Sequence, residues 1–218
     1  MNFFGHAVVA RWRSDDRRFL LGAMLPDFSA MLGTPVSVAQ VSQGEVHRGV
    51  DYHHATDAAF HGCEHFTRLC GAALERLTAE GVERGPARAV SHVGVELLLD
   101  GALSHDSAAV ATYKSVLAQA LENENELAEQ LAWTPEQTQR LRQGLTRLVG
   151  APLPEGYRDP SFVVERLQVI LARRPRLAIK PADVPRVSSY MRELHNEISS
   201  VWPELLAQVR SRLGPLLS

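Results

Sequence analysis

A chain of 218 residues, 45% hydrophobic and 22% charged, is long enough to bury a core and too apolar to stay disordered. Its formal net charge of -2 gives no global reason to expect a nucleic-acid partner. The longest apolar stretches, such as residues 93–99 with Glu96 inside, fall far short of the roughly 20 residues of a bilayer span.

The opening segment has no basic residue ahead of its apolar part and no small-residue cleavage site, so it does not read as a signal peptide and a cytoplasmic protein is expected. Cys63 and Cys70 belong to one expected helix, about 10 Å apart along its axis. That exceeds the roughly 7 Å reach of a disulfide, which makes them buried small hydrophobes rather than a bridge or a zinc site.

Helical periodicity recurs along the chain and strand-type alternation does not persist anywhere. The pattern predicts helices over 2–13 and 16–22, the second running into a Leu25-Pro26-Asp27 turn. A loop at 34–43 leads to a long helix over 45–77, and Gly81 and Gly85-Pro86 punctuate the chain before a helix over 87–104. Further helices are expected over 107–132 with a break near Asn123, 135–149, 161–172 and 184–213. Thr134-Pro135-Glu136 supplies a cap followed by proline at the first helical position, and Pro203 should kink or restart the last helix. The simplest architecture is a single-domain, all-α bundle over residues 1–218.

Eight of the nine histidines precede residue 106, so reactive side chains are concentrated in the first half. At 100° per residue, His47, Asp51, His54, His61 and His65 fall within an arc of about 80° on the 45–77 helix, with Asp57 at its edge and His53 pointing elsewhere. Imidazoles and carboxylates in one stripe are costly to bury unless a cation neutralises them. The competing explanation is a solvated face, against which stands the rarity of histidine in such stripes. His92, Glu96 and Asp100 repeat the theme four residues apart among Val and Leu, where an acid must pair, bind a cation or stay protonated. An ion-paired helix end is the plainer account of Glu96. His6 lies among Phe3, Phe4, Val8 and Val9, which suits a hydrogen-bonded core histidine as well as a ligand, and Asp27 alone would suit a helix cap.

Several short segments fall in an order shared with a known family. These are Met1-Asn2-Phe3 with His6, Gly22-Ala23-Met24-Leu25-Pro26-Asp27-Phe28, His47-Arg48-Gly49-Val50-Asp51 followed by Thr56-Asp57, and Glu96 with Asp100. Towards the end come Leu171-Ala172-Arg173-Arg174-Pro175-Arg176-Leu177 and Trp202-Pro203-Glu204-Leu205. Together they resemble the acyl carrier protein phosphodiesterase family, whose members are similar to HD-type metal phosphohydrolases. Two features depart from that pattern. Two extra residues precede Thr56-Asp57, adding His53 and His54, and the family's Asp-His pair stands here as Asp100-Gly101. His54, His61 and His92 are the alternatives for replacing the missing histidine.

The resemblance implies an HD-like fold and divalent-metal hydrolysis of a phosphodiester, releasing a phosphopantetheine-like group from an acyl carrier protein. The metal ligands would come from His6, Asp27, His47, Asp51, His61, Glu96 and Asp100, with Asp57, His54 and His92 in catalytic roles. Manganese is the metal implied, and iron or zinc suits the same mixed donors. Arg173, Arg174, Arg176 and Lys180, or Arg11, Arg13, Arg17 and Arg18, would offer an acidic carrier a basic surface. Two alternatives stand beside this one: a metal-dependent phospholipase-like hydrolase, which shares the Pro-Asp and His-Arg-Gly elements, and a non-catalytic metal-binding member marked by Gly101.

Overall fold

A computed structural model describes residues 1–217, and every regular element among them is helical. The all-α expectation holds. The helices are α1 (Phe3–Ala10), α2 (Arg17–Met31), α3 (Glu45–His61), α4 (Glu64–Ala79), α5 (Arg84–Leu103), α6 (Ser107–Glu122), α7 (Glu124–Gln130), α8 (Pro135–Gly150), α9 (Pro160–Ala172) and α10 (Val184–Leu213). Among the described residues no helix is long and apolar enough to cross a membrane.

Side chains at the helix starts explain several of these boundaries. Asp16 accepts from the Arg18 and Phe19 amides, Asp106 from Ala108 and Ala109, and Asp159 from Ser161 ahead of a proline at the first position of α9. Thr134 and Gln137 form a reciprocal capping box at the start of α8, again followed by proline. Each such cap contributes about 1 kcal/mol by satisfying amides that the helix leaves open.

Two elements differ from the periodicity. The helix expected over 45–77 is two helices, broken at Gly62 and Cys63, with Cys63 as the extended residue before α4. The helix expected to stop near Gly22 continues through Pro26 to Met31, because Met24, Leu25 and Phe28 are buried on either side of the proline. α10 spans the expected 184–213, with Pro203 inside it. Burial of flanking apolar side chains outweighs the local cost of a proline within a helix.

The chain divides into two compact units. The first comprises Met1–Ala58, Asp106–Leu153 and a segment from Leu213 onward. In it α1 packs on α2, α2 on α6, and α6 on α8, with Phe4 meeting Tyr113 edge-on at 5.4 Å. Glu124, only 4% exposed, is neutralised by Arg142, whose Nε and Nη2 both donate to its Oε1. The second unit comprises Ala59–His105 and Pro154–Arg212. There α4 buries Phe66, Leu69, Ala73 and Leu77 against α5, the 3–4 spacing of an amphipathic face. α5 is buried on several sides because α9 and a 3-10 turn at Glu155–Arg158 also pack on it.

In the first unit α2 and α3 meet backbone to backbone. A Cβ on Gly22 would collide with the carbonyl oxygen of Val46, and one on Gly49 with that of Phe19. Only glycine at both positions permits this approach. Neither obstacle is a flexible side-chain tip, so Gly49→Ala is expected to destabilise the protein by about 3 kcal/mol, the upper end of ordinary overpacking. Urea denaturation of wild type and variant checks this; a change below about 1 kcal/mol would mean that the helices separate without penalty.

Candidate functional site

The buried face of α3 runs through Val46, Val50, His53, Thr56 and Phe60 at helical spacing. His53 and Thr56 are the polar members of an otherwise apolar stripe, at 4% and 1% exposure. Opposite them lies His6 of α1, fully buried, and the Ala23 carbonyl and Asp27 of α2 complete the group. The glycine-mediated contact of α2 with α3 is what brings Ala23 and Asp27 within reach.

Hydrogen bonds assign the tautomers of both imidazoles. The Thr56 hydroxyl donates to the His53 carbonyl at 2.9 Å, so it accepts from His6 Nδ1–H at 3.0 Å. The Ala23 carbonyl can only accept, so His53 Nδ1 carries the hydrogen across 2.8 Å. Each ring therefore turns Nε2 towards the acids. His6 Nε2 lies 3.5 Å from Asp27 Oδ2 and 3.8 Å from Asp57 Oδ1, and His53 Nε2 lies 3.9 Å from Asp27 Oδ1. The two rings sit 4.0 Å apart and tilted by 31°. Tetrahedral ligands at ~2.1 Å from a cation are roughly 3.4 Å from one another, so these separations are close to those of a metal site. Backbone or hydroxyl anchoring of the remote nitrogen is the usual device for fixing a ligand histidine.

The imidazoles form the floor of the cluster, while the Asp27 and Asp57 side chains are 36% and 37% exposed and form its mouth. The Met1 ammonium lies 3.3 Å from Asp57 Oδ1. Burial, only partly opposed by the Ala23 hydrogen bond and by Asp57, pushes the His53 pKa down to about 4. At neutral pH its Nε2 therefore offers a lone pair.

A second cluster belongs to the other unit. His61 ends α3, and His92 and Glu96 lie one turn apart on α5. His61 Nε2 is 3.2 Å from His92 Nε2, and each lies 3.3 Å from Glu96 Oε1. The rings stack at 4.9 Å and 18°, and Phe66 of α4 meets both edge-on. The chain break at Gly62 and Cys63 is what turns α4 back so that Phe66 reaches them. Burial opposes the charge on Glu96, but surrounding positive charge and hydrogen bonds from His61 and His92 outweigh it and hold the carboxyl well below the usual range. Unlike the first cluster this one faces water, with His92 at 46% side-chain exposure.

The expected site residues thus fall into three sets. His6, Asp27 and Asp57 gather in the first unit, and His61, His92 and Glu96 in the second. His47, Asp51, His54 and Asp100 are not among the residues whose donor atoms converge on either cluster. His47 is half-buried beside Gln43, Asp51 and His54 are exposed, and Asp100 is buried at 1% exposure. His65, placed on the shared stripe by continuing one helix past His61, instead belongs to α4. His53 is the cluster member that the helical projection set aside, and its position in the apolar stripe with Thr56 was the signal for it. At Gly101, where the resemblance expects histidine, a Cβ would collide with the carbonyl of Tyr157, so the Glu155–Arg158 turn fills that space.

Compared with protein-family models, curated proteins and solved structures, the chain has no match. The family resemblance therefore stands on the short motifs that suggested it.

The depressed His53 pKa has a consequence for stability. The folded protein takes up this proton only near pH 4, the unfolded chain near 6.5. Between those values the unfolded state binds more protons, so stability falls as pH drops, by about 3 kcal/mol across the window. In metal-free protein His53→Gln is expected to remove most of that slope. Urea denaturation at intervals between pH 6.5 and 4 measures it; an equally steep decline in the variant would show that other groups govern acid sensitivity.

Proposed function

We propose that this chain is a divalent-metal-dependent hydrolase of phosphodiesters, centred on His6, Asp27, His53 and Asp57. The observation that carries this reading is the matched pair of imidazoles, each anchored through Nδ1 so that Nε2 meets a half-exposed carboxylate. Two neutral nitrogens and carboxylate oxygens fit a divalent cation by donor chemistry, as do His61, His92 and Glu96 in the second unit. When bound, such a metal acidifies water and neutralises charge on phosphoryl oxygens.

The residues divide the remaining work. His6, His53 and Asp27 would hold the ion, and the buried floor keeps bulk water from behind it. Asp57 at the mouth is placed to take up a proton from the attacking water and return it to the leaving alkoxide. Manganese is the metal that the resemblance favours, and iron and zinc suit the same donors. A carrier protein is the substrate proposed on the same resemblance, with exposed Arg173, Arg174 and Arg176 as its acidic partner's landing surface. The reduced thiols Cys63 and Cys70 fit a cytoplasmic setting. One observation favours a second reading, a metal-binding protein without catalysis: Gly101 stands where the family carries histidine, and backbone fills its place.

Elemental analysis of protein purified without added metal, paired with bis-p-nitrophenyl phosphate hydrolysis, tests these readings. Wild type is expected to carry manganese, iron or zinc and to turn over, and Asp27→Asn and His53→Gln to lose metal and at least ~100-fold in rate. Metal without turnover after reconstitution would select the non-catalytic reading. Absence of both would overturn the proposal.

A further inference from the structure

A cavity of about 150 Å³ in the second unit lies among the end of α5, the Glu155–Arg158 turn and α10, and uses none of the residues of either cluster. It is lined by Gly101, His105, Arg158, His195, Ser199 and Trp202, together with Ala102. Among the described residues no carboxylate lines it. Its volume is well above the ~10–15 Å³ that admits a single water.

The lining is rich in donors. Arg158 is fixed in place by Nε to the Ser104 hydroxyl at 2.7 Å and Nη2 to the Ser104 carbonyl at 2.5 Å. Both Nη1 hydrogens and one on Nη2 remain for a ligand, and no carboxylate forms an ion pair with Arg158 among the described residues. The carbonyls at the end of α5, which would repel an anion, are engaged: Gly101 by the Ser104 hydroxyl, Ala102 by the His105 amide and Ser104 by Arg158. Ser199 directs its hydrogen to the His195 carbonyl. The His195 imidazole makes no hydrogen bond to another described side chain. A guanidinium, two imidazoles and an indole N–H make more donors than the two oxygens of a carboxylate need, and suit a tetrahedral oxyanion.

We infer that this cavity binds a phosphate group, either free or as the head of a phosphomonoester with Trp202 beside its organic part. The close approach of Tyr157 to Gly101 is what delivers Arg158, so the residue change at 101 and the anion pocket are one feature. The inference stands on the cavity alone and is independent of the metal reading.

Inorganic phosphate titrated into the full-length protein by calorimetry is the test, on wild type, Arg158→Gln, His195→Gln and His53→Gln. Arg158→Gln should weaken phosphate binding about tenfold or more, as loss of a charge-assisted contact does, with a smaller loss for His195→Gln and none for His53→Gln. Should Arg158→Gln fail to fold without its Ser104 anchor, His195→Gln decides, since its ring supports no other side chain. Unchanged affinity in the pocket variants, or loss in His53→Gln instead, would overturn the inference, the latter by assigning phosphate to the metal cluster. Addition of p-nitrophenyl phosphate separates free phosphate from a monoester: competition by the ester at comparable affinity indicates a monoester pocket, and its exclusion confines the site to phosphate itself.

Discussion

The backbone contact of Gly22 with Gly49 sets the distance between α2 and α3, and the first cluster depends on that distance. Ala23, whose carbonyl orients His53, follows Gly22 directly, and Asp27 lies one turn further along the same helix. Were the helices held apart by side chains, the 2.8 Å bond from His53 to Ala23 could not form, and a buried imidazole would be left without its anchor. Apolar packing of Phe4, Phe19, Met24 and Phe28 makes the close approach affordable, since each buried side chain of this size contributes about 1.5–3 kcal/mol.

The two clusters answer the same problem, histidine beside carboxylate, in different dielectric settings. His6 and His53 are enclosed, with their tautomers dictated by Thr56 and Ala23, and burial disfavours protonation of His53. His61 and His92 face water and are ordered by ring stacking and by Phe66 rather than by anchors on their remote nitrogens. With two Nε2 atoms and one carboxylate oxygen all within 3.3 Å, the triangle lets both rings donate to Glu96 or turns all three atoms towards a cation. The first cluster is thus held by anchors on its remote nitrogens and the second by ring packing.

The helical class and most element positions were legible from periodicity and from caps such as Asp16, Asp106 and Thr134. Asp57, His61, His92 and Glu96 were legible as chemistry because histidine and acid recur at helical spacing, and His6 and Asp27 only through the resemblance. What the spacing could not tell was which side of α3 is inside. A wheel drawn through five polar residues selected a stripe that includes exposed Asp51 and His54, whereas burial follows Val46, Val50 and Phe60 and takes His53 with them. The break at Gly62 was hidden for a related reason: one glycine in a helical pattern is tolerated locally, and only the packing of Phe60 and Phe66 at 4.4 Å requires the chain to turn there. Pro26 erred in the opposite direction, a local breaker overruled by burial on both sides.

Gly101 shows how a departure from a motif acquires a physical meaning only in three dimensions. Read along the chain, Gly101 only stands where the resemblance expects a histidine. In the fold it is a point of backbone contact, where the Tyr157 carbonyl occupies the volume that any side chain would need. That contact seats the Glu155–Arg158 turn on α5 and aims Arg158 at the Ser104 carbonyl, capping the negative end of the helix with a guanidinium. A histidine at 101 would have to expel the turn, and with it the cation. A side chain at 101 and the seated Arg158 therefore exclude one another by sterics, and the chemistry available at this end of α5 is that of an anion site rather than a metal ligand.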